Sequence, residues 1–155
     1  MKNATIVCGI DGSADSQAAL AFAKQLSSRL GARLVLAHVE ELAHTSYAAA
    51  AAFGRSSGPI AVKEDVDAQT KAAERLLEQV AMDAGVAEAD RRVAVGLPSE
   101  RLAELADEED AELIVVGSRG RGAFKAAFLG SVSNSLVGVA RCPVVIVPRG
   151  AVDVR

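Results

Sequence analysis

The sequence is poor in aromatic residues and carries no excess of positive charge. Only 3% of its 155 residues are aromatic and tryptophan is absent, while the formal net charge is -3 at pH 7. Proteins that hold single-stranded nucleic acid stack bases on aromatic side chains, and duplex binders neutralise phosphates with Lys and Arg. These deficits argue against nucleic acid, and against an anionic membrane surface, as the main partner.

The sequence also lacks a long apolar run and a cysteine framework. No apolar stretch approaches the roughly 20 residues of a membrane-spanning helix, and the N-terminal segment has no signal-length apolar region. We therefore expect a cytoplasmic protein with no membrane partner. Cys8 falls in the first predicted strand and Cys142 at the start of the last, and both are interpreted as small apolar side chains, with a redox pair as the alternative. His38 and His44 lie apart from other ligand-type residues, which predicts no metal site of their own.

The chain instead alternates short apolar, β-rich runs with amphipathic segments. Their pattern predicts a doubly wound five-stranded parallel sheet with helices on both faces, a Rossmann-like α/β fold. Strands are predicted at residues 4–10, 33–39, 91–95, 113–116 and 143–147, and helices between Ser13 and Gly31, over 66–84, from Ser99, and over 131–140.

We expect residues 1–149 to form one domain, followed by a flexible tail at 150–155. Residues 40–63 show no clear period. A connection of that length is usually a lid or a mobile segment, so we predict mobility there, with short helical turns through the alanines at 48–52. The acidic run at 104–112 is predicted to be a solvated helix end.

The last strand is continuous and apolar, and the predicted strand order leaves it at an edge of the sheet. Long apolar edges invite pairing with another chain. We therefore predict a homodimer joined along Val144–Val147. A helix or the tail covering this edge is the alternative.

Residues 112–142 combine an apolar strand, a glycine-rich loop and a helix that opens at Ser131. Glycines let backbone N–H groups approach an anion, and the positive end of a helix dipole favours negative charge. This stretch therefore predicts a phosphate-binding loop, although an ordinary connecting loop would also use glycines. The glycines concerned are Gly117, Gly120, Gly122 and Gly130.

Asp11 follows the first predicted strand and is the candidate to face this loop. Ligands of doubly wound sheets bind at the carboxyl ends of the strands, where the strand order reverses. If the first and fourth strands are neighbours, Asp11 and the glycines share one crevice. Asp11 could instead cap the first helix, or it could bind phosphate-bound Mg²⁺. Arg119, Arg121 and Lys125 fit phosphate contact and simple solvent exposure equally well.

Several segments, in order along the chain, resemble the universal stress protein family. The spacing of Gly117, Gly120 and Gly130-Ser131 is similar to the ATP-binding pattern of that family, and the ATP-lacking branch lacks the second and third glycines. The other similar segments are 6–13 with Ser16, Ala19 and Leu20, then 36–39, 96–98 and 141–147.

The resemblance implies ATP as the ligand, with Mg²⁺ accompanying it. It would place Asp11 at the ribose and neighbouring phosphates, with Gly12 and Ser13 shaping the turn, the backbone of Val39 at the adenine edge, and Gly117 against the ribose. The amides of Gly120, Gly130, Ser131 and Val132 would reach the phosphates, with hydroxyls from Ser131 and Ser133. Arg119 occupies a variable position of the pattern and completes the predicted site.

Three functions are compatible with these features. The first is a small dimeric ATP-binding protein with a regulatory or stress-response role. The second is a weak ATPase; the sequence has no Walker-type G-K-[ST] and offers no residue besides Asp11 to orient a nucleophile, so hydrolysis is predicted to be slow at most. The third is a dimerisation module that binds no nucleotide.

Overall fold

The computed structural model describes residues 3–41, 59–120 and 128–151 of the chain. Strands and helices alternate throughout this part, as the sequence predicts. The elements are β1 Thr5–Gly9, α1 Ala14–Leu30, β2 Arg33–Glu40, α2 Pro59–Asp83, β3 Asp90–Val95, α3 Pro98–Glu108, β4 Leu113–Gly117, α4 Ser131–Val139 and β5 Val144–Val147.

The five strands form one sheet in the order β3-β2-β1-β4-β5, and every neighbouring pair is parallel. The chain winds outward from β1 to β3, then returns to the other side of β1, where Ile6 pairs with Leu113. The reversal of strand order therefore lies between β1 and β4. This confirms the predicted fold and the predicted edge position of β5, and β3 forms the other edge.

Each face of the sheet is covered by two helices, and each covered face has its own core. α1 and α2 contribute Leu20 and Leu77 to one core, whereas α3 and α4 contribute Leu102 and Leu136 to the other. Cys8 belongs to the first core and Cys142 packs against the second. Burial raises the thiol pKa of Cys8 to about 12. The cysteines are thus separated by the sheet and do not form a redox pair.

Helix α1 has the predicted ends. The Ser13 hydroxyl accepts a hydrogen bond from the Ser16 N–H at 3.1 Å, and Gly31 ends the helix at φ 63°. Leu30, in the last turn of this helix, is 59% exposed.

Two helix starts differ from the prediction. Helix α3 begins at Pro98, with Leu97 at the cap position and no side-chain cap, so Ser99 does not cap it. Proline suits the first helical position because it has no N–H to leave unpaired. Helix α2 begins at Pro59 rather than near Val66. None of the described helices combines the length and apolar character needed to cross a bilayer.

Two predicted mobile segments lie partly outside the described residues. The connection is outside over 42–58, including the alanines at 48–52, and the tail is outside over 152–155. The beginning of the tail is structured, since the N–H of Ala151 donates to the Pro148 carbonyl at 3.0 Å.

The acidic run is not uniformly solvated as predicted. Glu109 pairs with Arg33 and with Arg92, each at 2.6 Å, and its side chain is only 12% exposed. The hydrogen bond from Arg33 is the main cause that lowers the pKa of the Glu109 carboxyl below its ordinary value. These pairs join the end of α3 to β2 and β3, which helps to fix the helix on the sheet.

Candidate functional site

A cavity of about 840 Å³ opens at the carboxyl ends of β1, β2 and β4, where the strand order reverses. This volume lies within the usual range of small-molecule sites. Nine of the eleven residues of the predicted site line it, and the other two, Gly12 and Ser13, form the adjacent turn. The nine are Asp11, Val39, Gly117, Arg119, Gly120, Gly130, Ser131, Val132 and Ser133.

Asp11 has one oxygen in the turn and the other beside the glycine loop. Its Oδ1 accepts a hydrogen bond from the Ser13 N–H at 2.8 Å, across Gly12 with φ 80°. Its Oδ2 lies opposite Gly120, where a Cβ atom would come within 2.8 Å of it. Asp11 therefore braces the turn, while Ser13 is the residue that caps α1.

The N-terminus of α4 opens onto the cavity without a side-chain cap. Its cap residue is Gly130, and the first intrahelical bond runs from the Asn134 N–H to the Gly130 carbonyl at 3.0 Å. Amides in the first turn of a helix have no intrahelical acceptor, and they carry the positive end of the helix dipole. Ser131 and Val132, which line the cavity, stand in that turn.

The resemblance assigns the Gly130 amide to the phosphates, and in the structure this amide has a partner within the protein. Its N–H already donates to the Ser118 carbonyl at 2.7 Å. A Cβ on Gly130 would lie 3.2 Å from the Arg119 Cα and 3.4 Å from the Gly120 nitrogen. A side chain here would meet the loop after β4, which would have to shift by a few tenths of an ångström.

The hydroxyl of Ser133 is also engaged within the protein. It lies 3.1 Å from the carbonyls of Ser118 and Gly130, and Ser133 is only 2% exposed. Ser131 is exposed at the cavity instead. Of the two hydroxyls named by the resemblance, the one on Ser131 is therefore better placed to meet a ligand.

Gly117 lines the cavity and also lets α1 pack onto the end of β4. A Cβ atom on Gly117 would lie 2.6 Å from the carbonyl carbon of Asp15 and 2.8 Å from its oxygen. No side chain fits in that space. The glycine is thus required by the fold, in addition to any contact with a ligand.

Asp15 is the polar residue that sequence reasoning missed. Its carboxylate is buried and accepts hydrogen bonds from the Ser118 hydroxyl at 2.7 Å and the Arg119 N–H at 3.1 Å. In the sequence Asp15 is an acidic residue in a first helical turn, which the helix dipole explains by itself. Its partners are more than 100 residues away, so no local signal could have identified them.

The opposite wall of the cavity is formed by the end of β2. His38 is buried, with Nδ1 2.6 Å from the Ile10 carbonyl and Nε2 3.1 Å from a Glu40 oxygen. It is a packed histidine. Phe128 and Leu129 line the mouth and are exposed, a position that no sequence pattern indicated.

The charges around the cavity have both signs. Asp11, Glu40 and Glu41 contribute carboxylates, and Arg119 contributes a guanidinium. The predicted contacts of Arg121 and Lys125 lie outside the described residues, as does the placement of Gly122.

The chain matches the model of the universal stress protein family over residues 2–148. A universal stress protein of Thermus aquaticus is 34% identical, over 92% of this chain and 97% of that protein. One from Mycobacterium tuberculosis is 33% identical over 94% of this chain, which spans only 45% of that relative. A solved universal stress protein in complex with cAMP is 29% identical, with a TM-score of 0.64 over 93% of this chain and 96% of that one. This chain belongs to the universal stress protein family.

Proposed function

We propose that this chain binds an adenine nucleotide, with ATP as the first candidate, and acts as a nucleotide-dependent regulator in a stress response. The observation that carries the proposal is the meeting of three features in one cavity. These are the uncapped N-terminus of α4, the backbone of Gly120, and the carboxylate of Asp11. Amides at a helix end suit phosphate oxygens, which supports a phosphorylated ligand.

The polar groups favour one orientation of the nucleotide. Phosphates belong at the amides of Ser131 and Val132, where Arg119 adds positive charge. The carboxylate of Asp11 only accepts hydrogen bonds and repels phosphate, so it suits the donating hydroxyls of a ribose. The adenine then lies toward Val39 at the end of β2.

Mg²⁺ would enter with the nucleotide under this proposal. In the described part of the chain, no group of three or more His, Cys, Asp or Glu residues could hold a metal ion. Nucleotide-bound Mg²⁺ takes only one or two protein carboxylates, and Asp11 can supply one. The ion would neutralise part of the phosphate charge beside the Asp11 carboxylate.

A relative has been solved in complex with cAMP, which supports an adenine nucleotide as the ligand. The titration described below determines how many phosphates that nucleotide carries. Hydrolysis is proposed to be slow at most. Phosphoryl transfer needs a metal ion and a group that orients the nucleophile, and Asp11 is the only such group that we assign. Binding, rather than turnover, is therefore the proposed activity.

Calorimetric titration of the purified protein with ATP, AMP and cAMP, with and without Mg²⁺, tests this function. We expect ATP to bind, and the variant Asp11→Asn to bind it roughly tenfold more weakly, since a hydrogen-bonded charge is lost. Asn keeps an oxygen for the Ser13 amide, so the turn is preserved.

Mass spectrometry of ligand released from the purified protein provides an independent check. A wild-type protein that releases no nucleotide and gives no heat with any of the three compounds would instead favour the dimerisation module.

We also propose that the chain forms a homodimer through β5. The Pro143 carbonyl accepts a hydrogen bond from the Ile114 N–H of β4 at 3.0 Å, and the Val147 carbonyl accepts one from the Ser118 N–H, directly after β4, at 2.9 Å. Because backbone groups alternate sides along a strand, those of Val144 and Ile146 point to the open edge. Four consecutive apolar residues at such an edge suit a second copy of the same strand.

The variant Ile146→Pro tests the dimer, since proline on an edge strand removes an outward amide and spares the pairing with β4. Light scattering should give a dimer for the wild type and a folded monomer for the variant. A wild-type protein that stays monomeric at high concentration, or a variant that stays dimeric, would contradict the proposal.

A further inference from the structure

The carboxylate of Asp15 joins the first turn of α1 to the loop that follows β4. One oxygen, Oδ2, accepts both the Ser118 hydroxyl at 2.7 Å and the Arg119 N–H at 3.1 Å. Asp15 is 4% exposed. A buried carboxylate is costly unless hydrogen bonds compensate it, so these donors are strongly held in place.

Ser118 connects this carboxylate to β5 and to the start of α4. Its N–H donates to the Val147 carbonyl at 2.9 Å, and its own carbonyl accepts the Gly130 N–H at 2.7 Å. The Ser133 hydroxyl also lies 3.1 Å from that carbonyl. Ser118 is thereby fixed to α1, to β5 and to the start of α4. Any movement of Ser118 would shift Gly120 and the first turn of α4 together.

The charge of Asp15 acts on two arginines. The Arg119 Nε lies 3.6 Å from Oδ2, and the Arg149 Nε lies 3.6 Å from Oδ1. Arg119 lines the cavity, so its guanidinium is held at the wall. Arg149 follows β5, so the same carboxylate also contacts the segment beyond the edge strand.

We propose that Asp15 is a positioning residue for the phosphate side of the cavity. It lies outside the cavity lining and acts through Ser118, Arg119 and the start of α4. It sets the direction of the Gly120 and α4 amides and keeps Arg119 at the wall. The effect on ligand affinity rests on the proposed nucleotide binding, whereas the effect on the loop does not.

Two substitutions separate the hydrogen bonds of Asp15 from its charge. Asp15→Ala removes both. Asp15→Asn can place its amide oxygen where Oδ2 lies, which keeps the acceptor for Ser118 and Arg119 and removes the charge together with the oxygen that faces Arg149. We expect the alanine variant to bind ATP roughly 10- to 100-fold more weakly, and the asparagine variant to recover most of that loss.

A matched control accounts for general destabilisation. Val86→Ala truncates a buried side chain before β3, at the amino end of the sheet and away from the cavity. It should lower the melting temperature and leave the affinity for ATP unchanged. Equal affinity losses in Val86→Ala and Asp15→Ala, or no loss in Asp15→Ala, would overturn the positioning role.

Hydrogen exchange of the ligand-free protein tests the loop without any nucleotide. In Asp15→Ala the amides of Arg119 and Gly130 should exchange at least roughly tenfold faster, whereas Val86→Ala should not change them relative to the rest of the protein. Unchanged exchange of these amides in Asp15→Ala would overturn the proposal. Absence of ATP binding by the wild type would instead reject the proposed function, and the exchange result would still decide the role of Asp15.

Discussion

Valine in place of Gly120 is expected to abolish ATP binding while the chain still folds. A Cβ atom at this position would lie 2.8 Å from the Asp11 Oδ2, and the two methyl groups of valine would extend further into the crevice. The carboxylate would have to turn away, and phosphate could no longer approach the backbone. We expect the affinity to fall by roughly 100-fold or more, which corresponds to about 2.8 kcal/mol.

Calorimetry measures this loss, and circular dichroism with thermal melting shows whether the fold persists. Gly138→Ala is a suitable control because a Cβ atom there meets nothing within 4 Å. Gly138 lies in α4, so this control also shows whether changes in the helix itself affect binding. Full affinity in Gly120→Val would contradict the placement of phosphates beside the backbone of Gly120.

Gly130 shows why the sequence alone cannot tell which glycine faces the cavity and which one packs against the protein backbone. Both Gly120 and Gly130 fit a phosphate-binding pattern, yet only Gly120 faces a side chain across the cavity. A Cβ on Gly130 would press on the backbone of Arg119. Substitution of Gly130 therefore disturbs the protein as well as the site. The difference depends on how two loops pack against each other. The spacing of the glycines along the chain carries no information about that packing.

The fold was largely predictable because each signal is local. Continuous apolar runs indicate strands buried on both faces, and the arginines of Asp90–Val95 indicate an edge. The position of the crevice was predictable from the strand order, since the reversal of that order brings Asp11 next to the glycine loop. Helix starts were less predictable: Leu97 caps α3 without a side-chain hydrogen bond, so no capping residue marks it.

The hydrogen bonds and ion pairs that hold the loops and helices in place could not be predicted, because the residues that form them are distant in sequence. Asp15 lies in α1 and Ser118 after β4, whereas Glu109 lies at the end of α3 and Arg33 in β2. Each pair is brought together only by the folded sheet. In the sequence both acids fit solvated helix ends. Whether a carboxylate is buried and finds a partner depends on tertiary packing, so the pattern of charges along the chain does not reveal it.

Alanine in place of Gly117 is expected to destabilise the fold more than any other small substitution proposed above. Its Cβ would lie 2.6 Å from the carbonyl carbon of Asp15 and 2.8 Å from the oxygen. These are backbone atoms of a helix, which cannot rotate away. We expect a loss of about 3 kcal/mol in the free energy of unfolding, which lowers the melting temperature by roughly 6 to 12 °C.

Gly9→Ala provides the comparison, since Gly9 ends the neighbouring strand β1. Its Cβ would meet only side-chain atoms, at 3.0 Å from Val116 and 3.3 Å from Leu102. Side chains can adjust, so its cost should be smaller, about 1 kcal/mol. Chemical denaturation of both variants gives the two values. Equal losses in the free energy of unfolding would show that the ends of β1 and β4 tolerate a methyl group equally well. That result would contradict the close contact between Gly117 and α1.

The combination Gly117→Ala with Asp15→Ala shows whether the carboxylate group of Asp15 adds to this overlap. The carbonyl carbon, the carbonyl oxygen and the Cβ of residue 15 all remain when the side chain is shortened to alanine, so the second substitution should not restore the stability lost in Gly117→Ala. A double variant as stable as Asp15→Ala alone would mean that only the carboxylate side chain of Asp15 opposes the methyl group. The start of α1 would then be able to move away from β4, and Gly117 would not be what fixes their distance.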